Sequence, residues 1–163
     1  AQLAANSDKH ATDVSGLIIW GNHSATMFPD YFNASIDGVP ATEVITDDEW
    51  LTGDFMKTVQ QRGSAIIKAR GASSAASAAN AVVDTVNQLV NPTPEGEAFS
   101  VCVPSDGSYG VPEGLIFGYP IISDGLSTQI RQGTIHTDAA AEKVKITTDE
   151  LAAERDAVAA LLQ

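Results

Sequence analysis

The chain of 163 residues has one cysteine, Cys102, so no internal disulfide can form. A reducing, cytoplasmic setting fits that usage. Set within an apolar alternation, the thiol reads as a small core residue rather than a nucleophile. Basic residues are also scarce: nine Lys and Arg face twenty-one Asp and Glu, a formal charge of −12. Such a surface repels phosphate backbones and anionic headgroups, which argues against nucleic-acid and membrane partners. No apolar run reaches membrane-spanning length, and the opening "AQLAANSDKH" has no signal-peptide core. What remains is 44% hydrophobic and 18% charged, enough for a folded domain over 1–163.

Residues 1–10 read as the end of a helix that lacks an N-cap. "SGLIIW", 15–20, reads as a buried strand. Residues 31–46 read as a second extended region, turned at Asp37-Gly38. From Asp47 the period becomes helical, with Trp50, Phe55, Val59, Ile66 and Ile67 recurring and Asp47 or Asp48 as cap. "GASSAASAANAVVDTVNQLV" forms a second helix with Ala72, Ala75, Ala79, Val83, Val86 and Val90 along one face. Its small residues admit a tight helix contact or a pocket, and both stay open. "NPTPEGE" ends it.

"AFSVCVPS" alternates as a strand, with Phe99, Val101 and Val103 on one face. "DGSYGVPEG" is a structural loop, since it lacks the lysine and following helix of a phosphate cradle. "LIFGYPII" and "STQIRQG" add two strands around Asp124-Gly125. Thr147 and Glu150 have capping-box spacing, which predicts a last helix over 148–162 with Leu151, Val158, Leu161 and Leu162 on its apolar stripe. Without βαβ alternation, the order predicts an α+β domain built on an antiparallel sheet. The acidic residues of 43–54 lack metal-ligand spacing and read as a solvated helix start.

One histidine stands apart. In "IIWGNHSATMFPDY" a strand ends at Trp20, a glycine breaks it, and His23 follows at the strand end. An imidazole, with its ordinary pKa of about 6.5, is suited to taking and returning a proton near neutrality. His10 and His136 lack such a context and read as surface residues.

Three blocks, "WGNHSATMFPDYFNASIDG", "VQQRGSAIIKARGASSAASAANA" and "VPSDGSYGVPEGLIFGYPI", resemble the C-terminal catalytic domain of malate dehydrogenases. They stand in family order, and "TTDELAAERDAV" is similar to the family's ending. The Gly-Asn-His-Ser turn resembles the cytosolic-like and dimeric bacterial branch of the lactate/malate dehydrogenase family. The resemblance implies an α+β fold without the N-terminal Rossmann domain. It also implies NAD as cofactor, bound mainly by that domain, and malate and oxaloacetate as substrates. His23 would be the proton acceptor and donor. Ser73 and Ser74 would face substrate and nicotinamide, and the whole enzyme would be a homodimer.

Other family features do not appear in this sequence. There is no G-x-G-x-x-G after a strand and no Leu-Asp-x-x-Arg segment, the family's source of the aspartate that orients the histidine and of a substrate arginine. Arg62, Arg70, Arg131 and Arg155 hold no matching positions. Met27 departs from the family's usual glutamine. The expectation is therefore a catalytic domain that is inactive by itself. The alternative is a non-catalytic structural or assembly subunit descended from such an enzyme.

Overall fold

The computed structural model describes residues 1–135 and 137–161. His136 and Leu162, both assigned places by the sequence reading, lie outside the described residues. A short helix, α1 (Gln2–Asn6), leads into β1 (Val14–Ser15). Gly16 then takes φ +70, and a Cβ there would lie 2.4 Å from the Asn33 carbonyl oxygen. That kink splits the strand expected over 15–20, and β2 (Ile18–Trp20) begins beyond it. β3 (Phe28–Asp30) returns antiparallel, with Phe28 opposite Trp20.

The extended region expected over 31–46 is narrower. Tyr31–Asn33 make a 3-10 turn, capped by Asp30. β4 (Ser35–Ile36) and β5 (Val39–Pro40) follow, and β4 joins β1 and β5 in one antiparallel sheet. Asp37 at φ 53 and Gly38 at φ 77 form the expected turn. The helical turn α2 (Ala41–Val44) completes the segment.

Asp47 caps the next helix, its carboxylate accepting from the Trp50 N–H at 2.9 Å. That helix runs from α3 (Asp48–Trp50) through a π turn at Leu51–Phe55 into α4 (Met56–Gln60). The π turn brings Leu51, Phe55 and Met56 into the core. Beyond it the helical pattern no longer marks burial. α5 (Arg62–Arg70) and α6 (Ala76–Val90) contain no buried residue. The face of α6 expected at Val83, Val86 and Val90 exists, but these side chains are 66%, 52% and 61% exposed.

β6 (Phe99–Pro104), β7 (Ile116–Ser123) and β8 (Thr128–Ile130) form an antiparallel meander in that order. The alternation in β6 is as expected, but it sends Cys102 outward while Phe99 turns in. Cys102 is therefore exposed and not a core residue. The last helix, α7 (Asp138–Ala157), starts at Asp138, and the Thr137 side chain caps it. Thr147 lies inside this helix and is fully buried, so Thr147 and Glu150 form no capping box.

The core gathers Trp20, Phe28, Phe55, Phe117 and Tyr119, each at most 1% exposed. Each such side chain contributes about 1.5–3 kcal/mol by leaving water. Trp20 meets Tyr109 edge to face, with centroids 4.8 Å apart. Its indole N–H donates to Asp30 Oδ2 at 3.0 Å. Asp30 is fully buried and also accepts from Asn33 Nδ2 at 2.7 Å and the Phe32 N–H at 3.1 Å. Burial pushes its carboxyl above the ordinary value of 3.8, and the donors from Trp20 and Asn33 only partly oppose this.

The folded chain thus holds the Asp30 proton more tightly than the unfolded chain does. That advantage is complete below the unfolded value and is lost as pH rises through the folded one. Asp30→Asn should cost about 1–3 kcal/mol near neutrality, because an amide cannot accept from all three donors. The stability difference between wild type and variant should narrow as pH rises from about 4 to 7, since only the wild type loses the protonation advantage. Urea unfolding of both proteins across that range measures the trend.

Candidate active site

His23 lies in a seven-residue connection, 21–27, between β2 and β3. The turn begins where two backbones touch. Gly21 N–H donates to the Gly118 carbonyl at 3.0 Å, and Gly118 N–H donates back at 3.1 Å. A Cβ on Gly118 would lie 3.0 Å from the Gly21 oxygen. A Cβ on Gly21, at φ +86, would lie 2.2 Å from Thr147 Cγ2. Two glycines therefore let β2, β7 and α7 meet at one point.

From there α7 holds the turn. The Asn22 N–H donates to Thr147 Oγ1 at 2.9 Å. The Asn22 side-chain amide donates to Glu150 Oε2 and Glu154 Oε1, both at 3.1 Å. The Ser24 hydroxyl donates to the same Glu150 oxygen, and Thr26 Oγ1 does so at 2.5 Å. At the far end of the turn Gln60 Nε2 donates to the Met27 carbonyl at 2.8 Å. The sequence reading missed Thr147 and Glu150 as parts of this site. Their spacing was visible, but it resembled a helix start.

The His23 side chain is exposed and borders an open groove of about 290 Å³. Ile19, Met27, Val101 and Cys102 form much of its wall, with Gly21 and Gly118 between them. Met27, the departure noted in the sequence, is thus a wall residue beside His23. No arginine lines the groove. Ser73 and Ser74 do not line it either. They precede α6 in irregular backbone, Ser73 exposed and Ser74 half-buried. Chemically the groove offers one imidazole against an apolar wall, an arrangement that can exchange a proton with a bound hydroxyl.

Other candidates resolve simply. His10 is exposed and caps a 3-10 turn at Ala11–Asp13. The glycine-rich segment after β6 is a structural connection to β7, in which Asp106 accepts from the Ser108 N–H at 2.9 Å and Tyr109 OH donates to the Arg131 carbonyl. Among the described residues, no three His, Cys, Asp or Glu side chains cluster as a metal site. No described helix is long and apolar enough to cross a membrane.

Gly21→Ala should destabilise the chain by about 2 kcal/mol or more, from left-handed backbone strain together with overpacking against Thr147. Thermal unfolding reads this directly. Partial shielding pushes the Cys102 thiol up from its ordinary 9.0. Iodoacetamide should therefore modify Cys102 more slowly at neutral pH than it modifies a free thiol, as followed by mass spectrometry.

Residues 1–162 match the family described as "lactate/malate dehydrogenase, alpha/beta C-terminal domain". Among solved structures, malate dehydrogenase from Naegleria fowleri is 39% identical with a TM-score of 0.86, over 98% of this chain and 49% of that one. Trichomonas vaginalis lactate dehydrogenase, solved in complex with NADH and oxamate, is 26% identical with a TM-score of 0.86, over 99% of this chain and 50% of that one. Malate dehydrogenase from Salinibacter ruber shares the fold at 20% identity and a TM-score of 0.82, over 98% and 50% of the two chains. This chain spans about half the length of these enzymes. By family match and by fold, the chain belongs to the lactate/malate dehydrogenase family as an alpha/beta C-terminal domain.

Proposed function

We propose that residues 1–163 are the catalytic C-terminal domain of an NAD-dependent malate dehydrogenase, with His23 as its proton acceptor and donor. The observation that carries this reading is the position of His23. It stands exposed at the rim of an apolar groove, in a turn fixed on both sides by β7 and α7. Malate over lactate is favoured by the "GNHS" turn and by the 39% identity to a malate dehydrogenase, against 26% to a lactate dehydrogenase.

When bound, the nicotinamide accepts or supplies the hydride at C2 of the hydroxy acid. The apolar wall of Ile19, Met27 and Val101 suits the flat face of a nicotinamide ring. The charged part of NAD would be held by a Rossmann portion of the enzyme. As C2 is oxidised, neutral His23 takes the proton of the 2-hydroxyl. In the reverse direction its imidazolium returns that proton to the carbonyl oxygen of oxaloacetate. An aspartate that orients the ring and arginines that pair the two substrate carboxylates would come from the same portion. Ser73 and Ser74 would donate hydroxyl hydrogens toward substrate or carboxamide once that portion is in place. The exposed valines of α6 are an apolar face of the kind a second copy covers, which supports a homodimer.

In the complete enzyme, His23→Gln should lower oxaloacetate-dependent NADH oxidation by at least about 10²-fold. The 163-residue chain alone should show none. Unchanged turnover in the variant would remove His23 from the mechanism and favour the non-catalytic subunit.

A further inference from the structure

We propose that Glu150 is a positioning residue for His23, its carboxylate gathering the residues on either side of the histidine into one fixed turn. The proposal rests on the reading of His23 as the proton-transfer group.

Beyond the Gly21 bridge, residues 22–27 lie in neither helix nor strand, and His23 is exposed, so neither a hydrogen-bond ladder nor core packing fixes the imidazole itself. Its neighbours must do so. Three donors from three side chains converge on one oxygen, Glu150 Oε2: the Asn22 amide before the histidine, and the Ser24 and Thr26 hydroxyls after it. A shared acceptor ties the two sides of the turn to each other as well as to α7. The acceptor is charged, which makes each bond shorter and stronger than a neutral one. Ser24 and Thr26 hold the Glu150 carboxyl below its ordinary 4.5, with Asn22 adding to them and slight desolvation opposing.

The helix beneath is well seated at this point. Thr147, one turn back, is fully buried and accepts from the Asn22 N–H. Thr148 is buried and donates to the Val144 carbonyl at 2.8 Å. Glu150 therefore reaches the turn from a fixed base. Glu154 also receives the Asn22 amide, but it is exposed and touches neither Ser24 nor Thr26 in this network. Thr147 also spans His23, accepting from the Asn22 N–H and from Thr26 Oγ1 at 3.0 Å, but among the described residues Glu150 is the charged acceptor that spans it and the one that Ser24 reaches as well.

Glu150 touches no reacting atom, so its effect should fall on the geometry of proton transfer. A misplacement of about 1 Å can cost 10²-fold. In the complete dehydrogenase, Glu150→Ala should lower kcat about ten- to hundredfold, with a much smaller change in KM. Slower chemistry should also raise the kinetic isotope effect measured with malate deuterated at C2, because release steps then limit the rate less. Glu150→Gln should recover part of kcat, since an amide oxygen has two lone pairs for the three donors. The double variant Ser24→Ala, Thr26→Val should reproduce the fall without altering α7. Asp149→Asn, next to Glu150 and paired only with Lys145 on the surface, should behave as wild type.

A kcat and isotope effect unchanged in Glu150→Ala would overturn the proposal. So would a fall in activity that only tracks a smaller folded fraction, with the isotope effect unmoved. His23→Gln separates the two readings. If that variant still turns over, the assignment of His23 fails. If it is inactive while Glu150→Ala is normal, the positioning role alone fails.

Discussion

The reciprocal backbone hydrogen bonds between Gly21 and Gly118 are the constraint on which the site depends. They join the end of β2 to the middle of β7 with no side chain between them. A methyl group on either residue would intrude, on Gly118 against the Gly21 backbone and on Gly21 against Thr147. Because the chains touch here, the strand ends where it does, and the following residues must leave the sheet. His23 is carried out to the groove by that departure.

The polar contacts then divide into two kinds. Beneath the site, Asp30 takes three donors while fully buried, including the indole of Trp20. It fixes the hairpin of β2 and β3 from inside, at a desolvation cost visible in its raised carboxyl. At the surface, Glu150 also takes three donors but is only half-buried, and its carboxyl shifts the other way. One acid anchors the strands that enter and leave the turn. The other anchors the turn itself.

Much of this was legible locally. The Asp37-Gly38 turn, the Asp47 cap, the alternation of β6 and the break after Trp20 are short-range signals, and all appear in the structure. The antiparallel α+β architecture followed from the lack of βαβ order. The misses share a cause. β3 is buried at every residue and contains Pro29, so it shows no two-residue period. An alternating strand cannot say by itself which face meets the core, and Cys102 fell on the outer one. Thr147 and Glu150 sit 125 and 126 residues from the partners Asn22 and Ser24 that give them meaning. A local rule could only read them against each other.

That separation has a consequence for how the protein is made. The chain emerges from the ribosome with the histidine turn first and the stretch that holds it almost last. At about 5–20 residues per second, roughly 6 to 25 s pass between the synthesis of Ser24 and that of Glu150. Through that interval the turn is tethered to nothing on α7, and closing so long a loop carries its own entropic cost. The histidine is among the first parts of this domain to be synthesised and among the last to acquire a defined geometry. Nascent chains stalled short of α7 would hold the right residue without the anchor on α7.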